Sequence, residues 1–345
     1  MAETMQAAIT DGKGGLWLEN IPVPEPNDYQ CLCRMLVCAT CTGTDKKHIH
    51  DQLPWKQQYP GVLGHESFGE VISVGKKVRA FKVGDRVIRP TAVYNGEHWA
   101  GFSSLWGGFA EYGLVTDGDA MREDGLGDKV NPYVQFQMKM PADLQITPAD
   151  ASMLITLKEV AGFADSVGVH LNTPVLVLGL GSVGLFFCEA CRLLGAYPVI
   201  AAARRRSEFD LAMELGADAV ICTSETDLAE GVRALTGGKG VYRIFDCTGS
   251  PTYVESAQAA LAADGKICPY AKYPKGDPIE NHIPAERLME GLTGEVRTHG
   301  WACSAYRHGL LHLDRLYSHR MPFKDIVKGF EMIERKEAYK IVFEF

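Results

Sequence analysis

The sequence predicts an α/β protein with two parts: a mostly β amino-terminal part, and a doubly wound parallel sheet with helices on both faces. In the first part, short apolar runs are punctuated by Gly and Pro, which is typical of strands and turns. From residue 175, strand and helix patterns alternate, and this βαβ rhythm predicts a parallel sheet. A chain of 345 residues is also long for one core. We expect one domain over residues 1–150, completed by 300–345, and a second over residues 151–299.

The amino-terminal part contains five apolar runs that favour strands. These are Met5–Ile9, Cys31–Val37, Phe68–Val74, Arg86–Ile88 and Phe109–Val115. Cys31, Cys33 and Cys38 occur in an alternating apolar pattern, so we expect them in the core rather than on a metal. The stretch 95–131 is polar and rich in glycine, which predicts a long irregular loop. A helix is predicted to begin at Pro148, with Thr147 as its N-cap.

In the second part, predicted strands and helices alternate up to residue 269. The predicted strands cover residues 175–178, 198–202, 219–221, 242–246 and 265–269, and the predicted helices cover 183–194, 208–215, 228–236 and 253–261. Cys188 and Cys191 form a C-x-x-C pair inside the first of these helices, where packing is the expected role. Helix and strand are expected to close the chain over its last ~45 residues.

Composition and charge argue against several classes of function. The chain is 46% hydrophobic and 23% charged, with a net charge of −8 and ten cysteines. It has no basic tract typical of nucleic-acid binding. No apolar stretch approaches the roughly 20 residues that span a bilayer. The amino terminus lacks the pattern of a signal peptide. We therefore expect a cytoplasmic protein with neither nucleic acid nor membrane as partner, and its cysteines as thiols.

An apolar strand runs directly into the sequence Gly179-Leu-Gly181-Ser182-Val183-Gly184, and an apolar helix follows. The first glycine would make the turn, the second would let the backbone approach a pyrophosphate, and the third would let helix and sheet pack closely. Free N–H groups at the start of the helix would bind phosphate. The motif therefore predicts a dinucleotide site formed by Gly179, Gly181, Ser182, Val183 and Gly184.

The next strand ends in Ala203, and three arginines follow, Arg204-Arg205-Arg206. In sheets that prefer NAD, an acidic residue at this point binds the ribose 2′-hydroxyl. Ala203 removes the repulsion that a carboxylate would exert on a 2′-phosphate, and guanidinium groups bind phosphate oxygens in pairs. The alternative, a solvated start to the next helix, would oppose the helix dipole. We predict NADP(H), with Arg204 and Arg205 as contacts and Arg206 facing water.

Further motifs connect the two parts with one known family. They are Cys41-Thr-Gly-Thr44-Asp45, Gly64-His65-Glu66, Gly84-Asp-Arg-Val87, Gly107-Gly-Phe-Ala-Glu-Tyr112 and Asp246-Cys-Thr248-Gly-Ser250. With the glycine-rich loop, and in this order, they resemble the zinc-dependent medium-chain dehydrogenase/reductase family, most of all its polyol and sugar dehydrogenase branch. The resemblance covers essentially the whole chain. It implies a GroES-like β domain, a Rossmann domain, a cofactor contact at Thr248, and a homodimer or homotetramer.

The resemblance also implies one catalytic zinc ion, held by Cys41, His65 and Glu66. A zinc ion acts on an alcohol or a carbonyl as a Lewis acid. Catalytic zinc typically has about three protein ligands and one open position, and sulfur, nitrogen and oxygen are all suitable ligands. For Glu66, the alternative is a carboxylate that orients the site without binding the metal.

The sequence departs from the family pattern at three places. One extra residue separates Cys41 from Thr44, which predicts a bulged loop. Ile155 stands where many relatives have a further ligand, so a water molecule or, less favourably, Glu159 would complete the shell. Residues 90–120 contain no cysteine, so the structural zinc of many relatives is expected to be absent. A metal-free site is the alternative.

Thr44 resembles the family residue that takes the proton of the substrate hydroxyl, and His48 would pass the proton on. The alternatives are a turn residue for Thr44 and a surface imidazole for His48. Three tryptophans, Trp55, Trp99 and Trp106, lie in loops near these motifs. They are candidates for the wall of a substrate cleft or for core packing.

We expect an NADP-dependent enzyme that transfers hydride between NADP(H) and a small secondary alcohol or ketone, such as a polyol, cyclitol or sugar. Two alternatives stay open. One is a zinc-free quinone or enone reductase of the same superfamily, and the other is a non-catalytic NADPH-binding protein.

Overall fold

The computed structural model of the chain describes residues 3–273 and 276–345. The chain divides into two units. The first unit contains the residues up to Ile155 together with Cys303–Phe345, and the second contains Thr156–Ala302. The amino-terminal part and the carboxy-terminal segment therefore fold together.

The first unit begins with nine strands and two helices. The strands are β1 (Thr4–Thr10), β2 (Leu16–Pro22), β3 (Gln30–Ala39), β4 (Gly61–Val62), β5 (Glu66–Val74), β6 (Arg86–Ile88), β7 (His98–Trp99), β8 (Phe102–Ser104) and β9 (Tyr112–Thr116), and the helices are α1 (Thr42–Ile49) and α2 (Gly118–Glu123). Cys31, Cys33 and Cys38 of β3 are fully buried, because both faces of this central strand are covered.

Helix α3 (Pro148–Ser166) leads into the second unit. There the chain forms β10 (Val175–Leu178), α4 (Ser182–Leu193), β11 (Val199–Ala203), α5 (Phe209–Glu214), β12 (Ala219–Cys222), α6 (Leu228–Leu235), β13 (Val241–Asp246), α7 (Pro251–Ala257), β14 (Leu261–Pro269) and α8 (Glu295–Arg307). All five strands are parallel, in the order β12-β11-β10-β13-β14. The strand order reverses direction around β10, which is where such sheets bind ligands at their carboxyl ends. The predicted fold class is confirmed.

The chain then returns to the first unit through β15 (His319–Pro322), α9 (Ile326–Glu334) and β16 (Ile341–Glu344). One sheet of this unit has the order β15-β16-β3-β5-β6, with β9 also paired to β3, and the other has the order β2-β1-β4-β8-β7. Strand β16 is antiparallel to β3, and Val342 pairs with Ala39. This pairing places the residues before β16 beside those that follow β3.

The stretch 95–131 is not the irregular loop that its composition predicts. It contains the β7–β8 hairpin and α2, in addition to β9, which overlaps the predicted strand Phe109–Val115. Asp117 caps α2 by accepting from the Ala120 N–H at 2.9 Å, and it also accepts from the Arg79 N–H at 2.7 Å. Asn131 donates to the Asn95 carbonyl at 3.0 Å. These polar contacts help to order the segment, together with buried apolar residues such as Leu105, Phe109 and Val115.

The helices of the described ranges include none with the length and apolar character that crossing a bilayer requires.

Candidate functional site

Cys41, His65 and Glu66 come together in the first unit. One potential ligand atom of each lies within 4.8 Å of the other two. Cys41 precedes α1 and His65 precedes β5. Since Ala39 of β3 pairs with Glu66 of β5, the ends of two neighbouring strands bring the three residues to one place.

This donor set fits a metal ion. His65 Nδ1 is buried without a hydrogen-bond partner in the described part of the chain, and it lies 3.8 Å from Asp45 Oδ1. Burial, with the positive charges of Arg89 and Lys340 adding to it, holds the pKa of His65 well below its usual range. The imidazole is therefore neutral, as a metal ligand must be. Burial raises the pKa of the Cys41 thiol to about 12, so a thiolate there depends on a bound cation.

Lys340 supplies a buried counter-charge to Glu66. Its ammonium group pairs with Glu66 Oε2, and each of the two side chains is 1% exposed. It also donates to the Thr40 carbonyl at 2.9 Å. A buried carboxylate without a partner is costly, so the ion pair with Lys340 offsets the cost of burying Glu66. The pairing of β16 with β3 brings the lysine here.

The backbone around His65 is held from two sides. Arg89 is buried and donates from Nη1 to the His65 carbonyl at 2.7 Å. Its own φ is 59°, a left-handed value that is uncommon outside glycine. Gly64 has a φ of 98°, and a Cβ there would lie 2.5 Å from the Phe109 ring. Only glycine fits directly before the candidate ligand.

The extra residue after Cys41 does not produce the expected bulged loop. Helix α1 begins directly after Cys41, so Thr44 lies one turn along. The Cys41 thiol contacts Thr44 Oγ1 at 3.5 Å, and Asp45 Oδ2 accepts from the Cys41 N–H at 2.8 Å. Burial raises the pKa of Asp45 to about 8.

His48 lies on the buried side of α1 and is 1% exposed. Neither ring nitrogen has a hydrogen-bond partner within the described ranges. Burial lowers the pKa of His48 to about 4, so the ring is neutral at pH 7. The proton-relay roles of Thr44 and His48 stay predictions.

In the second unit, the glycine-rich loop joins β10 to α4. Gly179 has a φ of 96°, and a Cβ there would lie 2.6 Å from Thr248 Cγ2. A Cβ on Gly184 would lie 1.9 Å from the Gly179 carbonyl oxygen. Helix α4 begins at Ser182, next to Val183, and its first N–H groups have no partners within the helix. The loop thus has the close backbone packing that a pyrophosphate site requires.

Thr248 belongs to a turn that is organised by the fully buried Asp246 at the end of β13. Asp246 Oδ1 accepts from the N–H and the hydroxyl of Thr248 at 2.9 and 2.6 Å. Its Oδ2 accepts from the Tyr273 hydroxyl at 2.6 Å and from the Gly249 N–H at 3.2 Å. One carboxylate therefore fixes the turn that contacts Gly179.

The three arginines after β11 are exposed, but they differ in their contacts. Arg206 forms a two-point ion pair with Glu225, and its guanidinium lies 5.8 Å from the centre of the Phe209 ring. It does not simply face water, as the sequence had led us to expect. Arg204 and Arg205 form no ion pair with a described residue, so their guanidinium groups are available to an anion.

Two family models match the chain. The alcohol dehydrogenase GroES-like domain matches residues 27–123, and the zinc-binding dehydrogenase model matches residues 182–297. The L-threonine 3-dehydrogenases of Symbiobacterium thermophilum and Pyrococcus horikoshii are each 30% identical to this chain, over 99% of its length and 98% and 99% of theirs. The chain belongs to the zinc-dependent medium-chain dehydrogenase family. The family resemblance read from the motifs is confirmed.

Solved structures show the same fold for this dehydrogenase. A putative zinc-binding dehydrogenase from Sinorhizobium meliloti, bound to NADP, superimposes with a TM-score of 0.82 at 23% identity over 100% of both chains. The 2R,3R-butanediol dehydrogenase of Bacillus subtilis gives a TM-score of 0.78 at 24% identity over 99% of both.

Sequence reasoning missed three residues of this dehydrogenase: Arg89 and Lys340, which contact candidate metal ligands, and Asp246, which organises the turn beside the glycine-rich loop. Lys340 offers a signal, since it directly precedes the apolar strand Ile341-Val-Phe, where a charge requires a partner. Asp246 ends an apolar strand just before a Thr-Gly turn. Arg89 gives no local signal, because neither its left-handed backbone nor its contact with His65 follows from its neighbours.

Proposed function

We propose that this dehydrogenase transfers hydride between NADP(H) and a secondary alcohol or ketone, at a single zinc ion held by Cys41, His65 and Glu66. The observation that carries the proposal is the convergence of three ligand atoms within 4.8 Å. A zinc ion bound there would supply Lewis acidity, which favours loss of the alcohol proton and polarises a carbonyl.

The residues around the centre have distinct tasks in this proposal. Asp45 orients His65 from 3.8 Å, and Lys340 balances the charge of Glu66. Thr44 carries the proton of the substrate hydroxyl, because its own hydroxyl adjoins the Cys41 sulfur.

The second unit binds the cofactor in this proposal. Gly179, Gly181 and Gly184 let the backbone approach the pyrophosphate, while Thr248 contacts the loop from the neighbouring turn. NADP(H) is supported by Arg204 and Arg205, which follow a strand that ends in alanine rather than in an acidic residue.

For the substrate, we propose a polyol, cyclitol or sugar. A hydroxy amino acid is the second candidate, because relatives that are 30% identical over nearly the whole chain are L-threonine 3-dehydrogenases. A homodimer or homotetramer also stays a prediction, and light scattering of the purified protein tests it.

The deciding experiment combines metal analysis with a substrate screen. Purified enzyme is expected to contain about one zinc ion per chain and to reduce NADP+ at 340 nm with a secondary alcohol. Cys41→Ala should lose the zinc and lower kcat/KM about 1000-fold, or several kcal/mol. Cys38→Ala, which changes a buried cysteine three residues away, should keep the zinc ion and the wild-type kcat/KM.

Two results would contradict the proposal in different ways. A zinc-free enzyme that reduces quinones or enones with NADPH would be the zinc-free reductase. A protein that binds NADPH but turns over no alcohol or carbonyl would be a non-catalytic binding protein.

A further inference from the structure

Trp106 has a backbone conformation that bulky residues rarely adopt, with a φ of 80°. Fixed contacts hold it there. Thr91 Oγ1 donates to the Trp106 carbonyl at 2.7 Å, and the N–H of the next residue, Gly107, donates to the Val62 carbonyl at 3.1 Å. A Cβ on Gly107 would lie only 2.4 Å from Thr91 Oγ1. The indole is therefore fixed by its backbone, and not by side-chain packing alone.

This strained backbone places the indole against the candidate metal centre. The ring centroids of Trp106 and His65 lie 5.6 Å apart, at 49°. Tyr133 supports the indole from 5.8 Å. Trp106 is half-buried. Residues held in rare backbone conformations cluster at ligand sites, and Arg89, which binds the His65 carbonyl, is a second left-handed residue here.

The charges around His65 restrict the charge of a substrate that could lie on the Trp106 indole. Arg89 is fixed beside His65, because its Nη1 donates to the His65 carbonyl at 2.7 Å. The charges of Glu66 and Lys340 offset each other in an ion pair, and Asp45 is fully buried. An ammonium group on a substrate would thus be repelled by Arg89, whereas a neutral molecule would not.

We propose that Trp106 selects the substrate by receiving the C–H face of a neutral, polyhydroxylated ring, which means a cyclitol or the ring form of a sugar. An indole offers a flat apolar face of that size, and an open-chain polyol cannot cover it without losing conformational freedom. This inference rests on the proposed function, since it concerns the substrate of the same centre.

The kinetic test compares ring and non-ring substrates in the zinc-loaded enzyme with NADP+. The substrates are myo-inositol, D-glucose, sorbitol, L-threonine and 2-butanol. Wild type should prefer the two ring compounds. Trp106→Ala should lower kcat/KM for them about tenfold and leave 2-butanol within about twofold, since a lost aromatic contact corresponds to roughly that factor. Trp106→Phe should restore most of the loss.

The matched control is Trp99→Phe. Trp99 is a half-buried tryptophan of the same unit. Of the two roles that the sequence leaves open for it, core packing fits its contacts, because it packs against a buried cluster that includes Met5, Ile21 and Val62. Its indole donates to the Pro22 carbonyl at 3.1 Å. This variant should leave kcat/KM unchanged for all five substrates. If Trp106→Ala lowers kcat/KM equally for every substrate, Trp106 only supports the fold. If sorbitol or L-threonine is the preferred substrate of wild type, the ring assignment is wrong.

A binding measurement separates this inference from the proposed function. Saturation-transfer NMR with myo-inositol or D-glucose is recorded in the presence of NADPH, which cannot accept hydride from an alcohol. Saturation should concentrate on the ring C–H protons and disappear in Trp106→Ala. Ring binding without any turnover would contradict the proposed function alone. Turnover of 2-butanol with no ring binding would contradict the inference alone.

Discussion

The glycine-rich loop and the candidate metal centre of this dehydrogenase are built in opposite ways. The loop arises from residues that are close in sequence, Gly179 to Gly184, and its charges are exposed arginines a strand away. The metal centre joins buried charges from distant segments, since Lys340 reaches Thr40 across 300 residues. A site formed by local sequence should tolerate single changes better than one that balances buried charges. Four predictions test this difference.

The largest effect is expected at Lys340. Replacing it with methionine leaves the Glu66 carboxylate buried without its cation, which should lower the free energy of unfolding by about 3–5 kcal/mol. Urea denaturation of zinc-free protein measures this. The double variant Glu66→Gln, Lys340→Met should recover most of the loss, because it removes both charges. A loss below about 1 kcal/mol for Lys340→Met would mean that the centre does not depend on this pair.

Beside the glycine-rich loop, Asp246→Ala should have the next largest effect. It removes the acceptor of two hydroxyls and two backbone N–H groups, which should lower the free energy of unfolding by about 2–4 kcal/mol. Hydrogen exchange at residues 247–250 should become faster. Tyr273→Phe, which removes one of the hydroxyl donors to Asp246, should lower the free energy of unfolding by only about 1 kcal/mol. Equal losses in the two variants would show that the carboxylate does not organise the turn.

The exposed arginines should affect binding without affecting stability. Arg204→Ala and Arg205→Ala together should raise the Kd for NADP+ about 10- to 100-fold and leave that for NAD+ within about twofold, because only NADP+ carries the 2′-phosphate. Isothermal titration measures both. Arg206→Ala is the matched control, since Glu225 already pairs with that guanidinium. An equal loss for both cofactors would remove the basis for NADP preference.

The smallest effect is expected at His282, on the surface of the second unit. Glu255 at 2.7 Å and Asp277 at 2.8 Å raise the pKa of His282. The protonated His282 therefore stabilises the folded protein fully below the pKa of the unfolded state, about 6.5. This stabilisation disappears as the pH rises through the higher pKa of the folded state. The Tm difference between wild type and His282→Gln should shrink accordingly as the pH increases. A difference that is independent of pH would contradict this.

The sequence was most informative where structure is local. The β10 strand lies where the apolar run predicts it, because the strand, the turn and the helix are each encoded by neighbouring residues. The helix after Cys41 was not foreseen, since Thr-Gly-Thr-Asp favours turns as well as helix starts. Within residues 95–131, the order outside the predicted strand Phe109–Val115 was missed, because part of it depends on polar side chains that contact distant residues, such as Asp117 with Arg79 and Asn131 with Asn95.

The candidate site shows the same limit. The residue types and the family resemblance were sufficient to name Cys41, His65 and Glu66 as candidates. Neither could reveal Lys340 or Arg89, because their contacts depend on which strands pair and on a rare backbone angle.

The β16–β3 pairing also has a consequence for how the protein is made. The ribosome synthesises the entire second unit between Glu66 and Lys340. Until that lysine has left the exit tunnel, its ion pair with Glu66 cannot form. The complete candidate metal centre is therefore a late product of biosynthesis, formed after translation of the second unit.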